Sequence, residues 1–155
     1  TAIQANDLIG RKIAREGGAT IKAVIADMRE TAGALAAGDD TLKVIGKALG
    51  EGVDAVEAAV AYIVDNFAKD VKAVHVGSVP FLKLMGIVSG GWQMARAAQI
   101  ATAKLAAGEG DAAFYRAKLA TARFFADHVM AQAPGLSRVV VGGASGALAL
   151  DEDLF

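Results

Sequence analysis

The sequence contains no cysteine. Disulfide bonds, zinc sites built on thiolates and a thiol nucleophile are therefore all excluded. No signal-peptide pattern is present either. Since a chain without cysteine suits a reducing compartment, we expect a cytoplasmic protein.

Aromatic residues and prolines are scarce: aromatics make up 6% of a chain that is 54% hydrophobic, and there are two prolines in 155 residues. Small aliphatic side chains must therefore fill most of the interior, and they let helices approach one another closely. The length suits one domain and is sufficient to bury a substantial core.

The chain also lacks an excess of charge of either sign, because it has 16 basic and 17 acidic residues and a net charge of -1. We therefore expect no nucleic-acid partner and no anionic membrane surface, both of which favour a basic stripe. Charges such as Lys83 and Arg96 interrupt the apolar runs. The runs stay short of the roughly 20 residues that a membrane-spanning helix needs.

Apolar side chains recur at steps of three and four residues, which predicts amphipathic helices. The abundant alanine favours helices further. The predicted helices cover about 7–15, 19–37, 41–67, 78–107, 111–133 and 136–150, with 69–77 as a connection.

Glycine, proline and capping residues mark the predicted boundaries. Gly17-Gly18 breaks the first helical region and is the candidate domain boundary. Asp40 or Thr41 is expected to cap the third helix, Ser78 the fourth and Asp111 the fifth. Pro134-Gly135 is expected to end the fifth helix.

Short connections place neighbouring helices antiparallel. We therefore predict an all-α fold, an antiparallel up-and-down four-helix bundle with short extra helices at the ends. The run Val139-Val140-Val141 could alone form a strand, but its helical surroundings and the lack of a partner strand favour a helix.

Paired carboxylates are the first candidate site, because they can bind metals or exchange protons. Glu51, Asp54 and Glu57 share one side of the third helix. A di-iron bundle would need Glu-x-x-His pairs, but Lys72 precedes His75 by three residues. We interpret the three carboxylates as a solvated acidic face and predict no metal site.

The chain has two histidines, and neither belongs to a recognisable catalytic set. His128 follows Asp127 on a helix, where adjacent side chains point in different directions. No Gly-x-Ser-x-Gly nucleophile motif is present. We interpret His75 and His128 as structural or surface residues.

Glycines recur in patterns that suggest either phosphate loops or close helix packing. None of the glycine pairs follows a convincing strand, and no dinucleotide or Walker pattern is present. The i, i+4 pairs favour close approach of a neighbouring helix, since an interior glycine otherwise costs about 1 kcal/mol relative to alanine. These pairs are Gly46/Gly50, Gly86/Gly90 and Gly142/Gly146.

Trp92 is the sole tryptophan and follows Gly90-Gly91. It could form a platform for a ligand or a partner. We favour a core anchor that faces the space left by the glycines, because large aromatic side chains dominate core burial.

Several segments resemble one known family. Residues 1–12, TAIQANDLIGRK, resemble the end of the dehydrogenase core in bacterial acyl-CoA dehydrogenases. Residues 80–86, PFLKLMG, with Gly90-Gly91-Trp92 and Ala95-Arg96-Ala97, are similar to the extra C-terminal helical domain of one branch. That branch includes the 3-methylmercaptopropionyl-CoA dehydrogenases. Further matching residues are Phe114-Tyr115, Lys118-Leu119 and Thr121-Ala122-Arg123-Phe124-Phe125.

The resemblance implies two domains, with 1–16 as the last helix of the dehydrogenase core and 17–155 as the C-terminal helical bundle. In this family a Tyr-Glu-Gly-Thr motif typically precedes the first segment, and its Glu removes the α-proton of the acyl-CoA. The β-hydride then passes to FAD. The resemblance thus implies that Thr1 and Ala2 approach the FAD phosphates in the parent protein, and that no catalytic residue lies in this chain.

Two hypotheses follow. In the first, the chain is a noncatalytic C-terminal domain cut from an acyl-CoA dehydrogenase-like flavoprotein, with no FAD bound to the chain alone. Its partners would be the dehydrogenase core, acyl-CoA in the parent and further copies in a homo-oligomer. In the alternative, a self-contained bundle binds a partner helix or a small apolar ligand. A di-metal enzyme is a third possibility.

Overall fold

The computed structural model describes residues 2–150 and 152–154, and within them it is helical without any strand. This confirms the all-α prediction. The α-helices are α1 (Ala2–Asp7), α2 (Ala19–Leu35), α3 (Asp40–Asn66), α4 (Val71–Val76), α5 (Ser78–Ala107), α6 (Ala112–Phe124), α7 (Ala133–Gly142) and α8 (Ala144–Ala147). Turns of π-helix (Leu8–Ile13, Phe125–Val129) and 3-10 helix (Arg15–Gly18, Met130–Gln132, Glu152–Leu154) connect or follow them.

The predicted break at Gly17-Gly18 is confirmed. Glu16, Gly17 and Gly18 all adopt left-handed conformations, with φ of 55°, 62° and 78°. Two glycines make this reversal inexpensive, whereas Glu16 adopts a backbone conformation that non-glycine residues seldom occupy. The chain turns sharply here and starts α2 at Ala19.

The predicted helix starts are right at one position and shifted at two. Asp111 caps α6, since its Oδ1 accepts a hydrogen bond from the Ala113 amide at 2.8 Å. Asp39, rather than Asp40 or Thr41, caps α3 through the Leu42 amide at 2.9 Å. Ser78 is the first residue of α5, and the cap position falls on Gly77 without a side-chain bond.

The segment 69–77 is not a plain connection, because it contains α4. Asp70 caps this helix by accepting a hydrogen bond from the Ala73 amide at 2.9 Å. An N-terminal cap of this kind contributes about 1 kcal/mol. The sequence does place Asp70 directly before an apolar stretch. This pattern indicates the start of a helix, and the prediction of a plain connection overlooked it.

The prediction that Pro134-Gly135 ends a helix is wrong. The chain continues from α6 through one π turn and one 3-10 turn into α7, which begins at Ala133. Proline is tolerated in the first turn of a helix, because its missing N–H has no partner there. The predicted helix 136–150 is wrong beyond Gly142, where a break precedes the short α8. The valine run 139–141 is helical, as expected.

The core lies around α3 and α5, which pack against each other. α3 also contacts α2 and α7, while α5 contacts α1, α6 and α7. Buried side chains from α2, α3, α5, α6 and α7 form one cluster, whose large members include Phe81, Leu49, Ile63, Met28 and Met130. No helix in the described part of the chain combines the length and hydrophobicity needed to cross a membrane.

Candidate functional site

The three carboxylates of α3 lie on an exposed face, as predicted, but they are engaged in ion pairs. Arg29 of α2 reaches across to both Asp54, at 2.8 Å, and Glu57. Lys47 lies 3.9 Å from Glu51, one turn earlier on the same helix. The set therefore links α2 to α3 along its solvent edge. Among residues 2–150 and 152–154, no cluster of three or more His, Asp or Glu side chains could hold a metal ion.

The pKa of the Arg29 guanidinium is shifted by its two partners. Its hydrogen bonds with Asp54 and then Glu57 raise its pKa above the usual arginine value. An arginine with a raised pKa stays protonated and cannot act as an acid or a base at neutral pH. The shift therefore indicates an ion pair that holds two helices together.

Neither histidine meets a catalytic partner. The His75 Nδ1 lies 2.7 Å from the Val71 carbonyl oxygen, so it donates within its own helix, and the ring is tilted against Phe67. His128 stacks on Phe124 with ring centres 4.4 Å apart. The neighbouring Asp127 pairs with Arg123 at 2.8 Å. The structural interpretation of both histidines agrees with these contacts.

The glycine prediction is right for two of its six residues. A Cβ on Gly46 would lie 2.8 Å from the Leu35 Cβ, and one on Gly90 would lie 3.0 Å from the Phe125 Cζ. Both glycines thus permit close packing. The other four positions have open space where a Cβ would be: Gly50, Gly86, Gly142 and Gly146. Spacing alone could not distinguish the two groups, because it does not show which face meets a neighbour.

Two glycines outside that prediction enclose Met130. A Cβ on Gly52 of α3 or on Gly91 of α5 would collide with the Met130 side chain. Met130 follows the π turn Phe125–Val129, which displaces the chain at this point. An unbranched thioether side chain can fill so irregular a space. The residue therefore connects α3, α5 and the α6–α7 junction in the core.

Trp92 is half-buried and packs against the edge of the core. Its indole Nε1 donates a hydrogen bond to the Thr31 Oγ1 at 2.8 Å, and the Arg96 guanidinium lies over its ring at 5.6 Å. The prediction of an anchor holds in part. The space beside Gly90 and Gly91 is occupied by Phe125 and Met130.

Of the two residues implied to approach FAD, Thr1 lies outside the described residues. Ala2 is the first residue of α1 and is exposed, as are Ile3 and Gln4. A methyl, an alkyl and an amide side chain supply no cation for a phosphate. The described residues at this position do not by themselves fit a flavin.

A concave surface that carries both apolar and charged side chains lies beside this segment. We call it the N-terminal groove; it measures about 490 Å³, and its lining consists of Ile3, Gln4, Asp7, Leu8, Arg11, Lys12 and Leu82. Ile3 is 83% exposed, although it is a large aliphatic side chain. On the opposite side of the segment, Ala5, Ile9 and Ile13 are buried in the core. One face thus attaches the segment to the bundle, and the other is available to a partner.

Three cations form a ridge along this segment: Arg11, Lys12 and Arg15. They also line two smaller hollows of about 310 and 290 Å³. Arg11 pairs with Asp7 at 3.1 Å and Arg15 with Glu16 at 3.6 Å. Lys12 forms no ion pair with any residue that the structure describes. Arg11 and Lys12 lie in the segment 1–12 that carries the resemblance, but three cations within five positions are also a signal of a charged surface, which the sequence-based prediction overlooked.

Comparison with known proteins identifies the family. Residues 19–151 match the family described as "Acetyl-CoA dehydrogenase C-terminal like". The chain belongs to this family. The resemblance deduced from residues 80–97 and 114–125 is thereby confirmed, and so is the identification of a C-terminal helical region of acyl-CoA dehydrogenases.

Two curated relatives of this family member are acyl-CoA dehydrogenases. The chain is 41% identical over 132 residues to the 3-methylmercaptopropionyl-CoA dehydrogenase of Ruegeria pomeroyi, covering 85% of the chain and 22% of that protein. It is 34% identical to the broad-specificity linear acyl-CoA dehydrogenase FadE5 of Mycobacterium tuberculosis, covering 100% of the chain and 26% of that protein. The chain thus spans about a quarter of the length of these relatives.

Proposed function

We propose that this chain is a noncatalytic C-terminal domain of an FAD-dependent acyl-CoA dehydrogenase. The observation that carries the proposal is the family match over residues 19–151. The contacts agree with it, since the carboxylates and histidines that could do chemistry are engaged in ion pairs and in packing. In the parent protein, α,β-dehydrogenation of an acyl-CoA thioester, which we expect to take place in the cytoplasm, would depend on residues of the core.

The role that fits such a domain is structural. We propose that its long helices form an antiparallel up-and-down four-helix bundle that covers the catalytic core or supports contacts between subunits. The short connection Ala36–Asp39 between α2 and α3, together with their extensive packing, favours an antiparallel pair. The contact of α5 with α6 across the short 108–111 connection favours a second one.

We further propose that residues 1–16 are the last helix of the dehydrogenase core and 17–155 the helical domain. Three side chains of the first segment, Ala5, Ile9 and Ile13, are buried against the bundle. Burying aliphatic side chains of this size contributes about 1.5–3 kcal/mol for each isoleucine. The segment would therefore join core and domain rigidly, although the sharp turn at Gly17-Gly18 divides them.

In this proposal FAD belongs to the core, and Thr1 and Ala2 approach its phosphates from the end of the chain. Because Ala2 has no side-chain donor, most of the groups that hold the flavin would have to come from elsewhere in the parent. When bound in the core, FAD would supply the hydride acceptor.

Two measurements test the proposal. The purified 155-residue chain is expected to show no flavin absorbance and no dye-linked acyl-CoA oxidation after incubation with FAD, while a full-length relative assayed beside it is active. Oxidation at a rate near that of the relative would overturn the noncatalytic role. The coding sequence upstream of Thr1 is expected to contain Tyr-Glu-Gly-Thr.

The open N-terminal groove favours one alternative, a self-contained bundle that binds a partner helix or a small apolar ligand. The same upstream sequence distinguishes the two functions. A reading frame that starts at or just before Thr1 supports the alternative, and one that continues into a dehydrogenase core rejects it.

A further inference from the structure

Met130 combines tight packing in the core with a path to solvent. Its side chain is 4% exposed, yet it also lines a surface hollow of about 200 Å³ between α3 and the α6–α7 junction. The other walls of this hollow include Val44, Ala48, Ala126 and Ala131. A water molecule takes up about 30 Å³ in the liquid. Water and hydrogen peroxide, which is only slightly larger, can therefore reach the wall that Met130 forms.

The backbone at Met130 is irregular. A π turn, Phe125–Val129, ends directly before it, and a 3-10 turn, Met130–Gln132, begins with it. Pro134 explains the second irregularity, because proline has no N–H for the Met130 carbonyl four residues earlier. That carbonyl accepts a hydrogen bond from the Ala133 amide instead. Segments without regular helical hydrogen bonds open locally at a lower free energy than the helices around them. We therefore expect the sulfur to become accessible without global unfolding.

The space around the sulfur has no place for an added oxygen. A Cβ on Gly91 would collide with the Met130 Sδ, and one on Gly52 with its Cε, so the thioether lies directly against two bare backbones. Both glycines lie inside helices, α5 and α3, whose amides donate to carbonyls of their own helix. The side chains that line the same interior space, among them Leu49 and Phe125, are apolar. A sulfoxide oxygen would therefore be buried here without a hydrogen-bond donor, which is unfavourable.

We propose that Met130 is a redox-sensitive switch of this domain, and that hydrogen peroxide operates it. The lone pair of the sulfur attacks one oxygen of the peroxide and the O–O bond breaks, so that the thioether is oxidised to the sulfoxide and the peroxide is reduced to water. The polar sulfoxide cannot return to the space between Gly52 and Gly91, so the α6–α7 junction loses its attachment to α3 and α5. Methionine sulfoxide reductases reverse such a step. The switch needs no flavin, so its test is independent of the proposed function.

The other three methionines of the chain provide an internal comparison. Met85 and Met94 are half-buried, and Met28 is 1% exposed. At the surface a sulfoxide oxygen can bind water, so oxidation of Met85 or Met94 should be fast and should have little effect on stability. Met28 is as deeply buried as Met130, but it lies in the regular helix α2. We therefore expect Met130 to be oxidised more slowly than Met85 and Met94 but several-fold faster than Met28.

Site-resolved oxidation provides the first test. The 155-residue chain is treated with hydrogen peroxide under native conditions, and peptide mass spectrometry measures the sulfoxide fraction at each methionine over time. A variant with Met28→Leu, Met85→Leu and Met94→Leu retains Met130 as its one oxidisable sulfur. Its melting temperature should fall by about 5 °C or more as Met130 is oxidised, because an acceptor buried without a donor destabilises a domain of this size to that extent. Treatment with methionine sulfoxide reductases should restore the melting temperature.

Met130→Leu is the matched control, because leucine has a similar volume and no sulfur. The melting temperature of this variant should be unchanged by the same treatment, although the other three methionines remain. Two alanine substitutions test the path of the peroxide. Ala131→Leu adds bulk to the hollow and should slow the oxidation of Met130 several-fold, whereas Ala120→Leu, the same change at an exposed position of α6, should not.

Oxidation of Met130 that lowers the melting temperature, and that Ala131→Leu slows while Ala120→Leu does not, would support the proposal. Any of four outcomes would overturn it. Met130 could be oxidised no faster than Met28, or its oxidation could leave the melting temperature unchanged. The Met130→Leu variant could lose as much stability under peroxide as the wild type. Finally, Met130 could be oxidised at the same rate in both alanine variants.

Discussion

The middle of the bundle and the end where α5 begins differ in how far their apolar side chains are buried. In the middle, Gly52 and Gly91 enclose Met130 so closely that neither position has room for a Cβ. At the end, Ile3 and Leu154 are mostly exposed, although they are among the larger aliphatic side chains. The same composition of small and aliphatic residues thus gives dense packing in one region and open surface in the other.

The densely packed region and the exposed region contribute differently to the stability of the fold. A glycine inside a helix is unfavourable by about 1 kcal/mol relative to alanine. At Gly46, Gly52 and Gly91 this loss is offset by a neighbouring side chain that fits against the bare backbone. Leu150 and Leu154 instead remain largely exposed. The middle therefore contributes more than this end to the packing that stabilises the fold.

The largest expected effect is the loss of Met130. Met130→Ala should lower the free energy of unfolding by about 2–5 kcal/mol, because it empties a space between three helices. Met85→Ala, which truncates a half-buried methionine of α5, should lower the free energy of unfolding by clearly less. Urea denaturation monitored by circular dichroism measures both. Equal losses for the two variants would show that Met130 is not specially packed.

The glycines of α3 give a matched pair one turn apart. Gly46→Ala should destabilise the protein by about 1–3 kcal/mol, because its Cβ would press against the Leu35 Cβ and the Ala32 carbonyl. Gly50→Ala has open space and should stabilise the protein by up to about 1 kcal/mol through helix propensity. Thermal unfolding distinguishes them, and changes of the same sign would contradict the packing account.

The Trp92–Thr31 hydrogen bond between α5 and α2 should have a smaller effect. Thr31→Val removes the acceptor and should lower stability by about 0.5–1.5 kcal/mol. Because Trp92 is the sole tryptophan, its fluorescence reports directly on the same site and should shift. Thr121→Val, which removes a hydroxyl bonded within its own helix, is the control. An unshifted emission spectrum in Thr31→Val would count against the contact.

The smallest effect is expected for the exposed ion pairs of Arg29. Arg29→Gln should change the free energy of unfolding by less than about 1 kcal/mol, because solvent screens such pairs. The difference from wild type should shrink further at high salt. A loss that stays large at high salt would mean that Arg29 contributes through packing instead of charge.

Much of this fold could be predicted from local patterns. The spacing of Val53, Val56, Val60 and Ile63 indicated α3, and Asp111 indicated the start of α6. Pro134 led to a wrong prediction of a helix end, because proline is unfavourable inside a helix but acceptable in its first turn. No sequence pattern indicated the π turn before Met130 either, and in the structure this turn packs against α3 and α5.

The candidate site was harder to predict than the fold. Arg11 and Lys12 are visible in the sequence, but Leu82 is far from them along the chain and joins them in one groove only through the packing of α1 against α5. Glycine spacing was equally unable to show which residues meet in the folded chain. Gly46 and Gly50 look alike in the sequence, and only the position of α2 distinguishes them.

Hydrogen–deuterium exchange tests most directly whether the middle of the bundle is more stable than the end where α5 begins. The account predicts the slowest exchange in α3 and in the middle of α5, and faster exchange in residues 2–4 and 148–150, where the large aliphatic side chains are exposed. Exchange that is equally slow in both regions would contradict it.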